Sequence, residues 1–162
     1  MGRVFSQRIR RLLRGTAGVN MIEAAIITPL LLLLSFSVVD FASLFYVYLS
    51  LENGASQATR FAVTGRTMAD PSNPSSQLDR VNSIKLAMRA ATPTLTIPDG
   101  AFSFSHMAPG GSSWAGGVGG AGDVERVTIT YTWNVMTPLL RPFFSNGQVT
   151  FRVDSSMKNE RF

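Results

Sequence analysis

Residues 18 to 51 read GVNMIEAAIITPLLLLLSFSVVDFASLFYVYLSL, a glycine and a lone glutamate followed by a long apolar run. From Ala24 to Val39 the run holds no charged side chain. Taken as a helix, Met21 to Val39 extends about 28 Å, close to the ~30 Å hydrocarbon core of a bilayer. Apolar residues occupy every face of that helix, whereas a helix of a small soluble domain keeps one face polar. The stretch therefore predicts a single membrane span, too long for the ~7 to 15 residue core of a secretory signal.

Ahead of the run stand Arg3, Arg8, Arg10, Arg11 and Arg14, without one acid. Positive charge beside a span keeps that end in the cytoplasm, so the C-terminal part is expected on the far side of the membrane. The same five arginines account for the whole formal charge of +5, because the ten basic and ten acidic residues after Gly18 cancel. The high pI therefore describes the N-terminal segment, and a nucleic-acid partner is not expected. With no cysteine in the chain, disulfides and cysteine-based metal or nucleophile chemistry are excluded.

Within the span, Pro29 lacks the donor for Ala25 and permits a kink. Glu23 lies near the cytoplasmic edge of the hydrocarbon, where a carboxylate costs on the order of 2.5 to 3.5 kcal/mol if driven to the centre. It either finds a cation or reaches for head groups. Asp40, at the other end, reads as an interfacial residue marking membrane exit; a buried role would need a partner that the sequence does not reveal. Beyond it FASLFYVYLSL is still apolar and is expected to pack on the protein's own outer domain. The pattern then turns amphipathic, so that one helix is predicted from about Met21 to Val63.

The rest reads as a small α+β domain, giving a division into a basic leader (1–18), a transmembrane and amphipathic helix (19–65) and a periplasmic domain (66–162). Residues 64–76, TGRTMADPSNPSS, predict an exposed linker. A second helix is expected after a Ser76/Asp79 capping box, with Leu78, Val81, Ile84, Met88 and Ala91 as its apolar stripe and Thr92-Pro93 as its stop. Period-two alternation then predicts three or four antiparallel strands. Phe102, Phe104 and His106 share the inner face of one strand, Val127 to Val135 that of a second, and Val149, Phe151 and Val153 that of a third. The glycine-rich stretch 108–122 predicts a mobile loop, with Trp114 tucked onto the sheet. In TPLLRPFF (137–144), Leu139, Leu140, Phe143 and Phe144 seldom share a solvated turn, so this connector is expected to pack on the helix, touch the membrane or bind a partner. His106 reads as a core histidine. No Ser/His/Asp set, metal-ligand cluster or carboxylate pair stands at recognisable spacing, so neither an enzyme nor a cofactor or metal is expected.

Gly18, then Val19 to Ile22, then Glu23 opening an apolar helix resembles the type IV prepilin pattern. The resemblance narrows over Glu23, Pro29 with its leucines, Asp40-Phe41, Leu51-Glu52-Asn53 and Arg60-Phe61-Ala62, which together are similar to the signature stretch of TadE-like proteins, minor pilin-like components of the tight-adherence (Flp) pilus. TadF-like and TadG-like proteins share the pattern. The resemblance implies cleavage between Gly18 and Val19 by a prepilin peptidase, and retention in the bacterial inner membrane or incorporation into a pilus. It also implies partners among other pilin-like subunits and the pilus secretion machinery, with helix breaks such as the one at Pro29 aiding filament packing. The new amino group of Val19, with an ordinary pKa of about 7.7 to 8.0, would be largely protonated and could pair with Glu23 of a neighbouring subunit. The other reading is an unprocessed single-pass tether whose loop or connector binds a partner.

Overall fold

The computed structural model describes residues 16–162, with side-chain surroundings described from Gly18 onward. The five arginines of the N-terminal segment lie outside these residues. One helix, α1, runs from Thr16 to Ala62 and passes through Pro29 without a break. It therefore begins before the Met21 expected from the sequence and ends within a residue of the expected Val63. Its C-terminal turn closes on Gly65, whose positive φ of 67° lets the Gly65 N–H reach the Ala62 carbonyl at 3.2 Å.

Where an exposed linker was expected, the chain makes a small antiparallel hairpin, β1 (Ala69–Asp70) with β2 (Asn73–Gln77). Its turn is held by Asp70 Oδ1 accepting the Ser72 N–H at 2.8 Å, a local bond that aspartate favours over longer-range pairing. This hairpin absorbs Ser76, so the cap of the second helix, α2 (Arg80–Ala91), is Asp79, which accepts the Asn82 N–H. Thr92 ends α2 ahead of Pro93, as the sequence indicates.

Four strands form the main sheet: β3 (Phe102–Met107), β4 (Ala115–Gly116), β5 (Val124–Asn134) and β6 (Gln148–Lys158), ordered β4-β3-β5-β6 and antiparallel throughout. The period-two pattern sets the register, with Ile129 opposite Val153 and Trp133 opposite Val149. The inner phase of β5 continues as expected through buried Val127, Ile129, Trp133 and Val135. The glycine-rich stretch is more ordered than expected from its composition, because Ala115 and Gly116 pair with His106 and Ser105 as β4.

The upper part of α1 lies on the inner face of this sheet. Leu51, Ala55, Ala58 and Ala62 join Ile84 and Met88 of α2 and the inner residues of β5 in one core. Small residues let the elements approach: a Cβ on Gly54 would lie 2.5 Å from Thr92 Cγ2. Each large side chain buried here contributes about 1.5 to 3 kcal/mol. The domain core is thus built partly from the long helix α1.

Candidate functional site

Among the described residues, the lower half of α1 is largely uncovered, with Leu33 its one apolar side chain packed against the core. Its most apolar 18-residue window has a mean hydropathy of 2.2, and none of that window is buried. A helix this long and apolar fits a single-pass membrane protein. The two serines in it do not present free hydroxyls, since Ser35 donates to the Leu31 carbonyl and Ser37 to that of Leu33 at 2.8 and 2.7 Å. Gly18, Val19 and Glu23 sit exposed on the first turns of this helix. Among the described residues, a Cβ on Gly18 would meet nothing within 4 Å.

Asp40 departs from its sequence reading. It is buried, only 5% exposed, and the partner that the sequence conceals is the backbone just after β5. Asp40 Oδ1 accepts the Met136 N–H at 3.2 Å, and the Thr137 N–H reaches both carboxylate oxygens at 3.3 and 3.2 Å. Those two donors belong to the segment where β5 has left the sheet, so no ladder satisfies them and a carboxylate does so instead.

The apolar connector folds against the same turn of α1. Leu140 is buried and Phe144 half-buried, packed on the core, whereas Leu139 and Phe143 stay exposed. Of the four connector residues, two thus pack within the chain and two do not. A groove of about 180 Å³ remains beneath them, lined by Asp40, Phe41, Leu44, Trp133, Leu140 and Phe143 among others. On the far side of α1 the expected packing of FASLFYVYLSL is likewise divided. Leu44, Val47 and Leu51 face the domain, while Phe41, Phe45 and Leu49 continue the exposed surface of Leu34 and Val38.

At the other end of the helix–sheet contact lies a buried polar cluster that the sequence reading missed. Glu125, fully buried, accepts the Gly119 N–H at 2.8 Å and faces Arg80 at 3.4 Å. Arg80 also donates to the Gly119 carbonyl and, at 2.9 Å, to the Ala62 carbonyl that ends α1. Asn159 donates to the Gly120 carbonyl at 2.8 Å and approaches Glu125 at 3.5 Å. Burial pushes the Glu125 carboxyl above its ordinary value, against the opposing pull of the Gly119 N–H, Arg80, Asn159 and His106. The signal for this site was present, because Glu125 sits in phase with Val127 and Ile129 on the inward face of β5, where an acid requires partners.

On the outer sheet face, Arg126 lies 3.4 Å from the centre of the Trp114 ring, so the tryptophan rests on the sheet. His106 is a rim residue and not a core one, its Nδ1 lying 3.1 Å from the Gly117 carbonyl. Among the described residues, no group of three or more His, Cys, Asp or Glu side chains gathers as a metal-binding set.

The geometry defines a class: an α+β domain built onto one long apolar helix that extends beyond it. The family model described as TadE-like protein matches residues 18–60, nearly the whole of α1, and leaves α2 and the sheet outside the match. That match agrees with the resemblance carried by Glu23, Pro29 and Asp40-Phe41. No curated protein and no solved structure significantly matches the chain.

Proposed function

We propose that the protein is a prepilin-like component of a tight-adherence pilus, processed between Gly18 and Val19, held in the inner membrane by α1, and acting by association with other pilin-like subunits. It performs no catalysis in this reading. The observation that carries the proposal is the helix itself, whose exposed apolar surface runs from the span up to Leu49, beyond what crossing a bilayer needs. A monomer gains nothing from that extension, while a bundle of such helices buries it. Gly18 supports the processing step. A helical glycine costs roughly 0.5 to 1 kcal/mol relative to alanine, and no described residue packs against it, so an external agent such as a peptidase accounts for the residue in this reading.

Cleavage would release the Val19 amino group one helical turn before Glu23. In an assembly of staggered helices that amine offers Glu23 a cation within the apolar region, and the pairing offsets the cost of a carboxylate there. Glu23→Ala is then expected to be cut normally and to assemble poorly, while a bulky residue at position 18 blocks the cut.

Intact mass and N-terminal sequencing of membrane-extracted protein, with and without the host's prepilin peptidase, test this reading. A mature chain starting at Val19 only in the competent host is expected. Recovery of the uncut chain from a host that processes its other prepilins would overturn it in favour of the unprocessed tethered binder.

A further inference from the structure

We infer that the connector Met136–Phe144 is a second membrane contact, an apolar tip that enters the leaflet on the C-terminal side of the span. The inference rests on α1 being a membrane helix and adds to it a patch of the folded domain. Met136, Leu139 and Phe143 are 61%, 51% and 74% exposed, three large apolar side chains on one loop. Their height relative to the bilayer is set by covalent and hydrogen-bonded geometry. The bonds from Met136 and Thr137 to Asp40 tie the loop to the last turn of the apolar run.

The loop does not stop at that level. Pro138 and Leu139 share a groove with Phe36 and Val39, about one turn below Asp40. Leu33 is the deepest α1 residue packed against the core cluster, seven residues before Asp40 and thus about 10 Å further along the helix. If hydrocarbon begins near Glu23, a ~30 Å core reaches past Asp40, and the whole contact from Leu33 to Asp40 lies inside it. The connector at that depth meets acyl chains. Asp40 is compatible with the position because its oxygens are occupied by backbone N–H groups, and those donors are in turn spared from facing lipid unpaired.

Lipid is favoured over a protein partner by continuity, since the exposed loop side chains extend the apolar surface that the lower half of α1 already offers. The apolar tip also carries a cation at its edge. Arg141 donates its Nε to the Val135 carbonyl at 3.1 Å while its residue remains exposed, a disposition suited to the head-group layer.

The absence of cysteine makes the test direct. Single substitutions Leu139→Cys, Phe143→Cys, Leu30→Cys and Thr130→Cys in the full chain, nitroxide-labelled and reconstituted in phosphatidylethanolamine/phosphatidylglycerol vesicles, report depth through collision with oxygen and with a water-soluble nickel complex. Labels at 139 and 143 are expected to be at least threefold more accessible to oxygen than to nickel, between the deep label at 30 and the aqueous label at 130. If 139 and 143 match 130 while 30 reports hydrocarbon, the loop is aqueous and the inference fails with the span intact. If both are shielded from both reagents, a protein surface covers the loop, and the lipid assignment is overturned. A label at 30 that reports water removes the span and the inference together.

Discussion

The two halves of α1 both carry many apolar residues and meet opposite fates. Below Asp40 the helix presents mostly exposed leucine, isoleucine and phenylalanine, and among the described residues only Leu33 of these packs against the core. Above Val47 the contact face narrows to Leu51, Gly54, Ala55, Ala58 and Ala62, and the sheet closes on it completely. Hydrophobicity therefore does not decide which half becomes core. Side-chain size does, because only a face of small residues lets a sheet and a second helix approach one α-helix together.

The largest effect that should separate the halves comes from the polar cluster capping the upper one. Glu125→Ala leaves Arg80 and the Gly119 N–H without their buried partner and is expected to lower domain stability by about 3 to 5 kcal/mol, measured by urea unfolding in micelles. A wild-type midpoint would show that the cluster is solvated. Next, Leu51→Ala should cost about 2 to 5 kcal/mol, whereas Leu32→Ala, with equal chemistry in the uncovered half, should leave the domain within about 0.5 kcal/mol of wild type. Equal losses at the two positions would erase the distinction between halves.

At the boundary, Asp40→Ala should cost about 1 to 3 kcal/mol, with hydrogen exchange accelerated at Met136 and Thr137 and not in the centre of β5. Uniform acceleration would make Asp40 part of the global core. The smallest expected effect is a pH dependence. Since burial raises the folded-state pKa of Glu125, the folded form binds more protons between the ordinary glutamate value and the raised one. The contribution of this group is fully favourable below that window and declines as pH rises through it. Glu125→Gln should flatten that part of the stability profile; an unchanged slope would assign it to another group.

Much of this was legible before any coordinates. The span, the helix running on into the domain, the second helix and the inner phases of β5 and β6 all follow from hydrophobic periodicity, which is a local property. What escaped was tertiary. Asp40 looked interfacial because its partners are backbone N–H groups 96 residues away, and a backbone donor has no letter in a sequence. Ser76 made a plausible cap until the hairpin claimed it, and Asp79, three residues on, was the stronger competitor. Glu125 could have been found, since it continues a run of inward residues, but its partners Arg80 and Asn159 come from separate elements. The exposure of Leu139 and Phe143, against the burial of Leu140 and Phe144, depends on how the loop turns over α1, and composition alone treats the four alike.

Strand β5 is bolted to α1 at both of its ends. Near its start Glu125 reaches the Ala62 carbonyl through Arg80, and just past its finish Met136 and Thr137 hold Asp40. The twenty-two steps from Asp40 to Ala62 span about 33 Å of helix, and the eleven from Glu125 to Met136 about 36 Å of strand, so the two members match in length. A beam pinned at two such points cannot rock about either. Load or torque applied to the sheet would then pass directly into the helix, because the contact is held at both ends of the strand.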